Sequence, residues 1–347
     1  MALRLSFCPY RLLFKHPFAI AHGVRDGTDS IFIRLEQEGV VGHGEVTLPP
    51  YLEEKPEHVV RRLWHVAAAG LDSVEQLLAH VQQEELWPGH QGCRAGLHTA
   101  CMDWLGKKLN VPVNELLDIR TLKLPMTLVT IGITPMEELA EKLLELPNSD
   151  ALKVKVDGPG SLPMLLAVLG TDPRPILVDA NQGLGRVEDA HALAETVGSR
   201  LLGMEQPFGR EETGLQRRLQ SEAEFPVFGD EAIQGLADLE AAVGIFSGVN
   251  IKLIKCGGLD RAKAMAERAA ELGMPVMLGS MSESSLATTA MAQLMGQADL
   301  LDLDGPWLIK NDPFSGVCMD QGRLVLPILP GIGAVLTVPL EFNPLCA

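Results

Sequence analysis

Apolar and polar residues alternate with a period of two over residues 3–13, 30–36 and 40–46. Ile31, Ile33 and Leu35 fall on one side there, with Phe32, Arg34 and Glu36 on the other. That period belongs to strands, and Gly39 supplies the turn between the second and the third. Between the first two, residues 18–28 are polar and glycine-containing and read as a loop; a second loop covers 45–56. The period then lengthens to that of helices at 57–69, 73–84 and 93–107. Leu97, Cys101, Trp104 and Leu105 make one apolar stripe in the last of them. Strands followed by helices predict a compact α+β unit over residues 1–120.

From Leu124 the texture changes. Short β-type runs at 126–131, 152–156, 176–181, 201–205, 226–230, 249–253, 275–280 and 300–304 alternate with helical runs, clearest at 136–146, 188–197, 260–272 and 284–296. Repeated βα units imply a parallel sheet, and eight strands at this spacing imply an α/β barrel over residues 121–307. After Trp307 strand and loop composition returns, so residues 308–347 are expected to pack back on the first domain.

Composition narrows the partners. The chain has 347 residues, 46% hydrophobic, with a formal net charge of −16. An acidic surface disfavours nucleic acid and anionic membranes, so an anionic substrate needs a local positive site. Six cysteines without C-x-x-C spacing suit a reduced, cytoplasmic protein. Arg4, Pro9, Arg11 and Lys15 interrupt the start of the chain, which therefore does not read as a signal peptide, and no stretch reads as a membrane span. An assembly of identical subunits is compatible with the sequence, which does not set its size.

The chemistry gathers at strand ends. Leu152-Lys153-Val154-Lys155-Val156 puts two lysines on one face of an interior strand, an expensive placement. Later strands end in Asp179-Ala-Asn181, Glu205-Gln-Pro207, Asp230-Glu231, Asn250-Ile-Lys252 and Asp302-Leu-Asp304. One βα unit separates neighbours, so these residues should ring one mouth of the barrel, where such folds carry their active sites. Lys155 and Lys252, from strands four apart in eight, should face each other. Asp179, Glu205 and Asp230 fill one arc between them and would repel unless a hard cation sits among them; Mg²⁺ fits best, one per subunit. Two lysines flanking such a site suggest removal of a proton next to a carboxylate. Lys153 and the cation both disfavour an ammonium at Lys155, which suits it to be a base.

These motifs, with Asn250-Ile-Lys252-Leu-Ile-Lys255-Cys-Gly-Gly258, resemble the muconate-lactonising branch of the enolase superfamily over almost the whole chain, from Pro17-Phe18 to Pro330-Gly-Ile-Gly333. The resemblance implies a modified (β/α)7β TIM-like barrel with an N-terminal α+β capping domain completed by the C-terminal segment. It implies Asp179, Glu205 and Asp230 as Mg²⁺ ligands and Lys155 and Lys252 as the acid/base pair, assisted by Lys153. Lys252 is preferred to Lys255 because the family lysine directly follows Asn-Ile. Asp302-Leu-Asp304 looks like the D-x-D with which dipeptide epimerases hold a substrate ammonium, and Thr130 matches a family substrate contact. Where alanyl-glutamate epimerases carry an early loop arginine this chain has His22, while Arg25 is retained. Arg25 is the candidate for an anionic substrate side chain, and Ser280 and Ser282 add uncharged contacts.

The expected activity is epimerisation of a small dipeptide at the α-carbon of its C-terminal residue. An N-acylamino-acid racemase or o-succinylbenzoate synthase is the alternative, with muconate cycloisomerase and a silent binding barrel behind it.

Overall fold

The structure, a computed structural model, describes residues 2–20, 23–50 and 52–345. The first layer is an antiparallel sheet of β1 (Arg4–Ile20), β2 (Gly23–Gln37) and β3 (Val40–Leu48). Helices α1 (Pro56–Ala67), α2 (Val74–Gln82) and α3 (Gln91–Leu109) cover it, followed by the short α4 (Val113–Leu116). The packing of α3 on β3 is close because side chains are missing where the backbones meet. A Cβ on Gly44 would stand 1.9 Å from the carbonyl oxygen of Gly96.

One expectation is corrected here. Residues 18–20 and 23–28 are strand, not loop: Phe18, Ala19 and Ile20 pair with Arg25, Val24 and Gly23, prolonging β1 and β2 beyond the sheet. Much of that extension is exposed, so the polar composition that suggested a loop is that of a solvated hairpin. His22 lies outside the described residues.

Eight parallel strands close into a barrel: β4 (Met126–Ile131), β5 (Ala151–Lys155), β6 (Ile176–Asp179), β7 (Leu201–Glu205), β8 (Val227–Gly229), β9 (Gly248–Ile251), β10 (Val276–Gly279) and β11 (Leu300–Asp302). Going round, the order is β4 to β11 in sequence, and β11 pairs back on β4. The helices between them are α5 (Met136–Glu145), α6 (Leu162–Thr171), α7 (Val187–Val197), α8 (Thr213–Glu222), α9 (Leu236–Ala241), α10 (Leu253–Cys256), α11 (Leu259–Glu271) and α12 (Ser285–Ala292). After β11 come α13 (Gly305–Leu308) and the short strands β12 (Phe314–Ser315), β13 (Cys318–Asp320), β14 (Arg323–Val325) and β15 (Val335–Leu336). The last strand, β16 (Asn343–Pro344), adds to β1 at the edge of the first sheet.

The two layers are locked where α3 meets α11. Arg94, buried, donates from Nη1 and Nη2 to the carboxylate of Asp260 at 2.9 and 2.7 Å, and from Nη1 to the Gly257 carbonyl at 2.6 Å. Among the described residues no helix is long and apolar enough to cross a membrane.

Candidate active site

Alternation along β5 aims Lys153 and Lys155 at the same side, and both line a cavity of about 310 Å³ at the C-terminal end of the strands. The Lys153 ammonium lies 2.9 Å from Asp179 Oδ2, 2.8 Å from Glu205 Oε2 and 2.7 Å from Asp302 Oδ2. β7 and β11 are opposite each other in the barrel, so one ammonium spans the mouth from wall to wall. Lys155 donates to Asp179 Oδ2 at 2.6 Å and to Asn181 Oδ1 at 2.9 Å. On the strand four places round, the chain leaves β9 at Lys252, whose Nζ donates to Asp230 Oδ2 at 2.8 Å.

Lys255 behaves differently. It is held by Asp230 Oδ1 and the Asp230 carbonyl, both at 2.6 Å, and by the carbonyls of Ile233 and Asn250 at 3.0 Å. Its donors are spent on the backbone that shapes the loop after β8. Lys252 keeps donors for a ligand, so geometry favours it over Lys255 as the second base.

The strand-end acids are buried, and their charge states follow their neighbours. Burial alone would push Asp179 up, but Lys153 and Lys155 outweigh it and hold the carboxyl down at about 2. Asp230 is driven well below the usual range against the same penalty, by Lys252 and then Lys255. Glu205 goes the other way, up to about 8, through burial and then the charge of Asp179. Burial would lower Lys153 and Lys252, but their acidic partners raise both above an ordinary lysine, Asp179 foremost for the first and Asp230 for the second.

The far wall separates two acids read as a pair. Asp302 takes the Lys153 ammonium and stands 3.5 Å from Thr130 Oγ1. Asp304 accepts the backbone N–H of Thr130 at 2.6 Å, so part of it anchors the end of β4. Burial, then the neighbouring Asp302, lifts Asp304 to about 6. Ser280 and Ser282 line the cavity. Arg25 lines it from the hairpin extension, bonded to Thr28 Oγ1 at 3.1 Å with its guanidinium 5.5 Å from the centre of the Phe14 ring.

Several residues of the site were not singled out from sequence for a role. Asn250 donates Nδ2 to Glu205 Oε1 at 2.8 Å, and Gly279 on the next strand makes room, since a Cβ there would meet Asn250 Oδ1 at 2.3 Å. Asn181 has positive φ, 40°, which turns its side chain to Lys155. Arg210 and Glu231 complete the cavity wall. The motif Asn250-Ile-Lys252 held the signal for Asn250; Arg210, in an ordinary loop, gave none.

A metal ion is implied by the donor set. Among the described residues, no three His, Cys, Asp or Glu side chains stand together as a bound metal requires, because ammonium groups lie between the carboxylates. The set still fits a hard cation. Glu205 Oε2 is buried and lacks a hydrogen-bond partner, its contact with Lys153 falling outside bonding geometry. A carboxyl lifted to about 8 by its neighbours is one that a divalent charge would return to the ionised form.

Two family models cover the chain: the mandelate racemase / muconate lactonizing enzyme N-terminal domain over residues 8–118 and the enolase C-terminal domain-like family over 136–339. The chain belongs to the enolase superfamily. Within it the matches fall in the muconate-lactonizing branch. An L-Ala-D/L-Glu epimerase of Bacteroides thetaiotaomicron is 35% identical, over 96% of this chain and 88% of that protein. A hydrophobic dipeptide epimerase of a Flavobacteria bacterium is 31% identical, over 96% of this chain and 98% of its own length. Among solved structures, a dipeptide epimerase from Methylococcus capsulatus, complexed with Mg and the dipeptide L-Arg-D-Lys, superposes with a TM-score of 0.86. It is 27% identical and matches over 96% of this chain and all of its own.

Proposed function

We propose that this superfamily member is a Mg²⁺-dependent dipeptide epimerase that inverts the α-carbon of the C-terminal residue. The observation that carries it is the placement of Lys155 and Lys252 on opposite strands of one mouth, with Asp302 on the wall between β10 and β4. The epimerase names of the relatives and the Mg-dipeptide complex of the structural neighbour support the same reading.

In this reading Asp179, Glu205 and Asp230 hold the cation. Bound there, it supplies the positive charge that a substrate carboxylate needs as the adjacent C–H bond gives up its proton. Lys155 and Lys252 stand on the two faces of that carbon: one takes the proton and the other returns one from the opposite side. Each must be neutral when it accepts, so Lys252, now held protonated chiefly by Asp230, would have to give up that contact as substrate enters. Lys153 reaches both Glu205 and Asp302 and is placed to steady the substrate carboxylate. Asp302 meets the ammonium of the first residue, Asp304 braces Thr130 beside it, and Arg25 and Ser282 face the substrate side chains.

The test is loss of the α-proton in heavy water. Dipeptides with a free amino group and N-succinyl amino acids are compared, with Mg²⁺ present. Exchange and inversion confined to the C-terminal residue of free dipeptides is expected. Faster turnover of N-succinyl amino acids would replace the reading by that of an acylamino-acid racemase, whose substrates carry no ammonium for Asp302 to meet.

A further inference from the structure

A second cavity, about 350 Å³, adjoins the first and shares Phe18, Thr130, Asp304 and Leu308 with it. It owes its existence to an irregularity in β1. Pairing with β2 runs in register to Leu13 opposite Gly27 and resumes at Phe18 opposite Arg25, so Phe14, Lys15, His16 and Pro17 stand across from Asp26 alone. The slack chain bows toward the barrel, where His16 Nε2 meets Oε2 of Glu145, the last residue of α5, at 2.5 Å. Phe14 makes a single bridge to Ile309, just past α13. The space is partly open and lined chiefly by apolar groups, among them Phe14, Phe18, Ile133, Leu146 and Trp307. Lys15, His16, Lys142 and Glu145 are also on its wall.

We infer that this cavity receives the side chain of the dipeptide's first residue and that it selects a large apolar one. The inference rests on the epimerase reading above, because it uses Asp302 as the partner of the substrate ammonium. The carbon bearing that ammonium also bears the first side chain. From Asp302 a space adjoining the site lies past Thr130 and Asp304, which are the shared wall. A methyl group leaves such a volume unfilled. A leucine, phenylalanine or tryptophan side chain would lie against the rings of Phe14, Phe18 and Trp307, and apolar contact of that extent is worth tenfold or more in discrimination.

The experiment uses the whole enzyme with Mg²⁺ and a set of dipeptides that share one C-terminal residue and begin with alanine, leucine, phenylalanine or tryptophan. Loss of the C-terminal α-proton in heavy water gives kcat/KM for each. The large-first substrates should exceed the alanine-first one by at least about tenfold. Ile133→Trp and Leu146→Trp, which fill the cavity from two different segments, should each bring that ratio to one or below; using both guards against one variant failing to fold. A wild-type ratio at or below one overturns the inference, as does an unchanged ratio in a folded filled variant. If alanine-first dipeptides react and large-first ones do not, the pocket is wrong and the epimerase reading stands. If only N-succinyl amino acids react, that reading falls and the pocket falls with it.

Discussion

Arg94 and Lys153 are equally buried, each 1% exposed, yet they live in opposite electrostatic arrangements. At the seam between α3 and α11 the Arg94 fork meets Asp260 with two parallel bonds, and His98 Nε2 stands 3.5 Å from the same carboxylate. At the barrel mouth Lys153 is a point charge shared by Asp179, Glu205 and Asp302, while Lys155 also claims Asp179. A bidentate, shape-matched pair holds two elements together, which is the kind of contact arginine's planar fork suits. A shared network has no single best arrangement, so an added cation or a substrate carboxylate can redistribute it at little cost. The first pattern suits structure, and the second suits the chemistry proposed above.

If that distinction is right, the mouth should be where single changes cost most in rate. Replacing Lys155 or Lys252 by alanine should lower epimerisation about 10⁴-fold in both directions, since inversion needs a donor opposite the acceptor. Each variant should still wash out the α-proton of one stereoisomer in heavy water, and the two should differ in which. Normal epimerisation by either, or exchange of the same isomer by both, would rule out a pair of opposed bases. The metal comes next. Chelation should silence the enzyme and Mg²⁺ should restore it, whereas Glu205→Ala should lose about 10³-fold and not recover with added Mg²⁺. Undiminished turnover after chelation would remove the cation from the proposal.

Asp302→Asn is a finer probe of the same network. A charge-assisted bond to an ammonium in a desolvated site is worth on the order of 2–5 kcal/mol, so dipeptides with a free amino group should suffer about 30-fold or more. N-succinyl amino acids, which lack that ammonium, should lose much less. Equal losses would mean that Asp302 acts only by holding Lys153.

How much of this could be read from residues alone differs between the two regions. The mouth was legible because strand alternation and βα spacing are local: Lys153 and Lys155 lie two apart, and the strand-end acids recur once per unit. The second cavity was not. It arises from unequal residue numbers on paired strands, Phe14 to Pro17 against Asp26, and no pattern within either strand shows what the other lacks. The same blindness made the hairpin extension read as a loop, since solvated strand and loop have like composition. The Arg94–Asp260 lock was also hidden, because its members stand far apart in the chain and each alone reads as a surface charge. Between Lys252 and Lys255 the order Asn250-Ile-Lys252 already pointed to Lys252, and hydrogen bonding agrees with it. For the division of labour between Asp302 and Asp304, three-dimensional hydrogen bonding was needed.

The seam offers the smallest effect and a control for the comparison. Burial would raise Asp260, but hydrogen bonding to Arg94 and the nearby His98 and Arg94 charges hold it down at about 2, from an ordinary 3.8. A carboxyl depressed in the folded protein stabilises it above the unfolded value and loses that contribution as pH falls toward the folded one. At 1.36 kcal/mol per unit, Asp260→Asn should therefore cost about 2 kcal/mol at pH 7, read from denaturant unfolding. The gap from wild type should shrink below about pH 4 and be mostly lost by about pH 2, where half of Asp260 is protonated. His98, held near 4 chiefly by burial, is raised toward its ordinary value by the Asp260 charge 3.5 Å away, so in Asp260→Asn it takes up its proton at lower pH and keeps part of the gap open on acidification. Rates per folded molecule should stay within a few-fold, because the Arg94–Asp260 pair touches none of the shared charges at the mouth. A gap that persists unchanged at pH 2 would show that the Arg94 fork is held by shape and the Gly257 carbonyl, with the Asp260 charge contributing little.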